Sequence, residues 1–271
     1  MLNCVFIGTK NEFDENLIFW LSQRTNLQGV VWPSSTSWRK SSSGKLKFIK
    51  KRIKRYGLMK VLDESIFYLV YHKLYAKKDY LKLKKDVILP YRESNFELWD
   101  GNQLFSENLN DHKTIEFIRN CEPDIIFAMC INDYFGKQLL NIPKYGVYLW
   151  HEGITPEYRG LYSPFWAIHN LDFKNIGYTL LKMNQKIDAG EIYVQGRLNE
   201  FDPFKDQHGY IGHKAIWNSL DEVEQFLIDL QNEEAKPIVK QDSKDGYYTY
   251  PGITDFLRQR YRLAKLAKSN S

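Results

Sequence analysis

The sequence predicts an α/β protein built on a Rossmann-like, doubly wound and mostly parallel sheet. Three observations carry that expectation. The chain opens with an apolar run at residues 3–8, a helical pattern, and a second apolar run at residues 27–32, the strand–helix–strand unit of such sheets. Two more short apolar runs follow, at residues 124–129 and 145–150. The 271 residues are 43% hydrophobic, enough for one such domain with a small appendage, or for two small domains.

Each element has its own reason. In the first helix Leu17, Ile18 and Leu21 recur at helical spacing, and Asn11 or Asp14 is placed to cap it. A serine-rich loop follows residue 32. Residues 38–85 then hold 16 Lys/Arg against 3 Asp/Glu. Phe48, Ile49, Ile53 and Leu58 lie among those lysines, so the segment reads as an inserted basic helical pair outside the sheet. The whole chain is only +5, so the rest of the body is net acidic. The sheet pattern is expected to resume at "DVILPY". Ile115 and Ile118 mark a short helix before the buried run at residues 124–129. A helix from Asp133 up to Pro143 then leads into the strand at 145–150. "NIGYTLLKM" and "GEIYVQGRL" form a hairpin around "NQKIDAG". A helix near residues 215–233 and a helix opening at Thr254 or Asp255 complete the chain. The domain reading is 1–200 for the main domain, with 38–85 inserted, and 201–271 as a small helical and aromatic C-terminal extension.

Several classes drop out. No run of about 18 apolar residues is present, so no membrane span is expected. The start "MLNCVFIGTK" lacks signal-peptide character, which points to the cytoplasm. Cys4, Cys121 and Cys130 have no metal-ligand or disulfide spacing, so neither a metal nor a disulfide framework is expected.

The chemistry concentrates in two segments, "HEGITPEYRGLYSPFWAI" and "IGYTLLKMNQKIDAGEIYVQ". His151 falls at the solvent-facing carboxyl end of a predicted strand, where open parallel sheets bind ligands. In order, His151, Pro156, Tyr158, Arg159, Gly160, Pro164, Trp166, Ala167, Asp188 and Gly190 resemble the formyltransferases that use 10-formyltetrahydrofolate. The resemblance is close over residues 123–196, looser over the first strands, and absent from the basic insertion. It implies the formyltransferase fold and transfer of a formyl group to an amine. It makes His151 the base and Asp188 its orienting partner, chemistry that suits an imidazole near neutral pH. Leu149 stands where the family carries an asparagine that donates to the oxygen becoming negative. Asn132 is the candidate substitute, unless it only caps the helix expected from Asp133. The resemblance places the cofactor in a groove between "AMCINDYF" and the hairpin loop, with Met129, Cys130, Ile131, Asp188 and Gly190 as its contacts. Met129 and Cys130 read equally well as core.

The loop "GTKNEFD" lacks a phosphate-cradling turn, which weakens a ribonucleotide acceptor. No nucleic acid is expected. The tail "YYTYPGITDF" resembles the short C-terminal extensions of sugar N-formyltransferases, so the expected acceptor is a nucleotide-linked amino sugar in surface-polysaccharide synthesis. Tyr247, Tyr248 and Tyr250 either cover that acceptor or pack on the main domain. Arg159 either binds an anionic group or, the reading preferred for a Tyr-Arg-Gly turn, ties its loop to backbone carbonyls; Glu152 is an acid–base candidate but is expected to be a solvated loop carboxylate. The basic insertion leaves an amphipathic helix on the domain, a membrane surface or an acidic partner open, and a homodimer is compatible with the sequence. Two other readings remain: a hydrolase releasing formate from the same cofactor, and a non-catalytic folate-binding descendant, which Leu149 favours.

Overall fold

The computed structural model describes residues 1–33, 42–95, 99–129, 133–240 and 244–269. A seven-stranded sheet has the order β3-β2-β1-β4-β5-β7-β8. Its strands are β1 (Asn3–Ile7), β2 (Asn26–Pro33), β3 (Gln103–Ser106), β4 (Ile125–Met129), β5 (Gly146–His151), β7 (Gly177–Lys182) and β8 (Glu191–Arg197). The first five run parallel, and the β7–β8 hairpin adds antiparallel to β5. A separate two-stranded pair joins β6 (Arg159–Gly160) to β9 (Tyr247–Tyr248). The doubly wound, mostly parallel sheet expected from the sequence is therefore present.

Strands β4 and β5 are buried along their whole length, as parallel strands covered on both faces must be. One face packs on α1 (Glu12–Arg24), α9 (His208–Asn218) and α10 (Leu220–Gln231) through residues such as Leu17, Ile211 and Val223. The other face packs on α6 (His112–Asn120) and α7 (Lys137–Leu140) through Ile115, Ile118 and Leu139. The helices of residues 208–231 thus share the core of the main sheet. No helix among the described residues is long and apolar enough to cross a membrane.

The basic segment is helical and outside the sheet, as expected, but it forms three helices rather than a pair. It holds α2 (Ser42–Tyr56), α3 (Leu58–Leu74) and α4 (Ala76–Leu83). "DVILPY" does not resume the sheet. It continues α4 through a π-helical turn, Lys84–Ile88, into α5 (Leu89–Asn95). Val87 and Ile88 are buried against the sheet, and a short buried apolar run reads the same in either geometry. The third strand is instead the half-exposed edge Gln103–Ser106. The helix expected from Asp133 is a single turn, Lys137–Leu140. Asn110 holds the preceding stretch out of helix by accepting from Gly136 N at 2.6 Å and donating to the Tyr134 carbonyl at 2.8 Å.

The first helix is capped by Asn11, whose side chain accepts from Phe13 N and Asp14 N, both at 2.9 Å. Asp14 instead ties down the preceding loop: it accepts from Thr9 N at 2.7 Å and from the Thr9 hydroxyl at 3.1 Å. Burial pushes its carboxyl up to about 7. We predict that Asn11→Ala lowers unfolding stability by about 1 kcal/mol without shifting the denaturant m-value. An unchanged stability would mean the cap is redundant with the Thr9–Asp14 loop.

Candidate active site

His151 is the last residue of β5, and only 6% of its surface is exposed. The sequence expectation of a solvent-facing strand end is corrected here. The loop 152–160 and the start of α8 (Ser163–His169) close over the ring. His151 Nε2 lies 2.9 Å from the Tyr158 carbonyl and 3.2 Å from Ser163 Oγ, and that hydroxyl donates to the same carbonyl at 3.0 Å. A carbonyl only accepts, so Nε2 carries the proton. In the neutral ring the lone pair then sits on Nδ1.

Nδ1 faces Asp188 Oδ2 at 4.0 Å, too long for a hydrogen bond. Asp188 is itself held by its Oδ2, which accepts from Gly160 N at 2.8 Å. Its backbone is left-handed, with φ of 47°, a turn conformation that aspartate adopts more readily than most non-glycine residues. Asp188 Oδ1 and His151 Nδ1 have no hydrogen-bond partner among the described residues. Two open polar atoms on largely covered side chains, beside each other at a strand end, can seat a polar reacting group.

The structure thus brings His151 and Asp188 together. Gly190 lies at the base of the same hairpin loop, pressed so closely on Lys182 that a Cβ would meet its carbonyl oxygen at 1.6 Å. Met129 ends β4 beside Trp150 of β5. The whole residue is buried in the core. Cys130, Ile131 and Asn132 lie outside the described residues. The helix that Asn132 would cap starts later than expected, at Lys137, with Gly136 in the cap position. Leu149 is 8% exposed and packs with Val147, Ala128 and Leu181 in the apolar cluster under α6 and α7. It offers no donor to the site.

The Tyr-Arg-Gly turn is a joint between loop and tail. Arg159 N donates to the Gly246 carbonyl at 2.9 Å, and Leu161 N donates to the Tyr248 carbonyl at 3.1 Å. The Arg159 guanidinium does donate to a carbonyl, that of Ile187 at 3.1 Å. It also grips Asp245 in a fork, at 2.7 and 2.8 Å, a partner that lies 86 residues away and has no sequence signal. Tyr248 stacks between Tyr158 and Trp166, with centroids 5.3 Å from each. The tail tyrosines therefore pack on the main domain through Tyr248 and Tyr250, the latter against Tyr162.

Sequence reasoning missed the clamp under the loop. Thr179 Oγ1 donates to the Gly153 carbonyl at 2.6 Å and accepts from Thr155 N at 3.2 Å. Gln195 Nε2 donates to the Thr155 carbonyl at 2.9 Å and to Thr179 Oγ1 at 2.8 Å. Both side chains come from the hairpin strands, at positions that read only as ordinary alternation. Ser163 was also missed; its place just before Pro164 was the available signal.

Glu152 is not the solvated carboxylate that was expected. It leans on α9, where a Cβ at Gly212 would meet its Oε2 at 2.2 Å. Burial, with Asp79 nearby, pushes its carboxyl up to about 8. It faces the insertion and α9 rather than Asp188.

No protein-family model matches the chain. Its sequence is 31% identical over 128 residues to the methionyl-tRNA formyltransferase of Thermotoga neapolitana, covering 47% of this chain and 40% of that protein. The chain thus spans less than half the length of that relative. A sugar N-formyltransferase from a Shewanella species superposes with a TM-score of 0.52 at 17% identity, over 93% of this chain and 78% of that one. A sugar 3N-formyltransferase, WlaRD, solved in the presence of dTDP and 5-N-formyl-THF, gives 0.51 at 12% identity, over 92% and 70%. Sequence likeness and fold likeness both point to formyltransferases. The fold is the one they share.

Two outcomes are expected. Gly160 has φ of 95°, and a Cβ there would meet the Tyr248 carbonyl oxygen at 2.1 Å. Gly160→Ala should therefore part β6 from β9 and release Asp188, costing about 1–3 kcal/mol in a thermal melt; an unchanged melt would show that the joint is not structural. For Glu152, the carboxyl pKa is raised in the folded chain. The unfolded chain releases the proton near the ordinary value of 4.5 while the folded chain holds it to about 8. Stability should fall as pH rises through that window. Glu152→Gln should flatten this decline, read from melts at both ends of it.

Proposed function

We propose that the chain transfers a formyl group from 10-formyltetrahydrofolate to an amine, and that the amine belongs to a nucleotide-linked amino sugar. The observation that carries the reading is the His151–Asp188 pair. Its ring is fixed as a tautomer with Nδ1 free, and Asp188 lies 4.0 Å away. The fold supports it, as do the sugar N-formyltransferases among its structural neighbours.

The roles follow from the residues. His151 Nδ1 takes the proton that the attacking amine loses. The Tyr158 carbonyl and Ser163 hold the ring so that Nε2 keeps its own proton throughout. Asp188 stabilises the imidazolium that results, and the Gly160 amide keeps that carboxylate aimed. The open polar atoms of His151 and Asp188 fit a folate-bound formyl group, which supplies an activated one-carbon unit when bound. Met129 by its backbone, with Cys130 and Ile131 beyond it, and Asp188 and Gly190 in the hairpin loop, would hold it. Asn132 remains the proposed donor in place of the absent asparagine. Tyr247, half-exposed beside β6, is the tail aromatic left open to an acceptor.

Leu149 favours a second reading, a folate-binding descendant without turnover. Its side chain is committed to the apolar cluster, and a missing donor commonly costs about 10²–10³ in rate. A hydrolase would share His151 and Asp188 but need no amine.

The test uses the full chain with 10-formyltetrahydrofolate and a panel of dTDP- and UDP-linked amino sugars. We expect formylated sugar, with cofactor consumption that depends on added amine. Consumption without amine would indicate the hydrolase, and binding without consumption the silent descendant. His151→Asn keeps a donor for the Tyr158 carbonyl but has no base. It should lose about 10²–10⁴ of the rate while its melt stays closer to the parent than that of His151→Ala. Retained turnover in His151→Asn would sink the assignment.

A further inference from the structure

On α3 the side chains of Val61, Glu64 and Phe67 are buried, while Leu58, Met59, Leu62, Ile66 and Leu69 face outward. At about 100° per residue these five fall on one arc of roughly a quarter turn. They are no scatter of single apolar residues: Met59 is 78% exposed, Leu69 65% and Leu62 47%. A water-facing helix normally keeps this stripe polar.

The charge around the stripe has one sign. Lys50, Lys51 and Lys54 on the adjoining α2, Lys73 at the end of α3, and Lys77 and Lys78 on α4 are exposed. The acids of the segment are all engaged elsewhere. Asp63 accepts from Thr254 N at 3.0 Å and from its hydroxyl at 2.8 Å. Glu64 is held by Arg52 at 2.5 Å, and Asp79 is buried on the Tyr71 hydroxyl. On α11 (Ile253–Ser269), which packs on α3, Asp255 accepts from Lys60 and from Gly252 N, while Leu257 and Tyr261 are exposed. The inward acids dock the insertion, and among the described residues they leave these six outward lysines without ion pairs.

We propose that this face binds an anionic membrane surface, with α3 lying in the interfacial plane. An apolar stripe flanked by lysines meets both layers of such a surface: the side chains enter the acyl boundary, and the lysine heads reach the anionic headgroups. A second copy of the chain is a poorer occupant. A two-fold contact sets a patch against itself, and here it would bring like-charged lysines together.

The test is flotation of the full chain with phosphatidylcholine vesicles, with and without phosphatidylglycerol as about one third of the lipid. Binding should require the anionic lipid and weaken with salt. Leu62→Asp with Leu69→Asp should reduce it by at least about tenfold, and Lys50→Glu with Lys54→Glu by a similar or larger factor. Since these side chains face outward, each pair should keep the parent melt. Light scattering runs alongside. No flotation of the parent with anionic vesicles would overturn the proposal, as would flotation untouched by the aspartates. A dimer that the aspartates dissolve would assign the stripe to a second copy instead.

Discussion

The hydrogen bond between His151 Nε2 and the Tyr158 carbonyl, 2.9 Å long, joins the end of β5 to the loop above it. It does three things at once. It gives a backbone acceptor of a buried residue a second donor beside the Ser163 hydroxyl. It holds the imidazole in one orientation. It also decides which nitrogen is free, and hence which side of the ring can do chemistry. The loop can deliver that carbonyl only because Thr179 and Gln195 of the hairpin pin its first half. The tail strand β9 pins its second half. Segments roughly 90 residues apart in sequence therefore converge on one ring.

The same economy appears where the insertion meets the body. Its interior side is built from aromatic contacts, Phe67 against Phe165 and Phe256, and from carboxylates that each find a donor. His208 sits among Tyr71, Tyr162 and Phe67, and burial pushes its imidazole down to about 3, so it stays neutral in that apolar setting. The inward face is closed, and the insertion's own acids Asp63, Glu64 and Asp79 each have a donor there. The outward face keeps both its leucines and the lysines beside them unmatched among the described residues, which is why an external surface is the natural place to look for their partner. The His151–Asp188 pair takes its contacts from residues 158–163, none of them on this outward face, so each can be altered without touching the other.

Much was legible in the residues. The parallel core strands read directly, because a strand buried on both faces must be apolar throughout. The helical character of the basic insertion read from its 3.6-residue periodicity. His151, Asp188 and the Tyr-Arg-Gly turn read as one constellation because their order and spacing are specific. "DVILPY" did not read correctly: Val87 and Ile88 are buried against the sheet while the backbone stays helical. Burial sets the apolar character in both geometries, so the pattern could not choose between them. Glu152 misread for the opposite reason. A carboxylate in a loop is usually solvated, and only the approach of Gly212 from a helix 60 residues later encloses it.

By itself the sequence determined the four inner parallel strands, the hairpin that extends them, and the identity of the residues at the strand end. These depend on local periodicity and on spacing along the chain. The tertiary structure decided the ring tautomer, the clamp by Thr179 and Gln195, the fork of Arg159 on Asp245, and which face of α3 meets water. Each of these is set by a partner from a distant segment. Hydrogen-bond direction and burial are properties of such pairs, and no single stretch of sequence carries them.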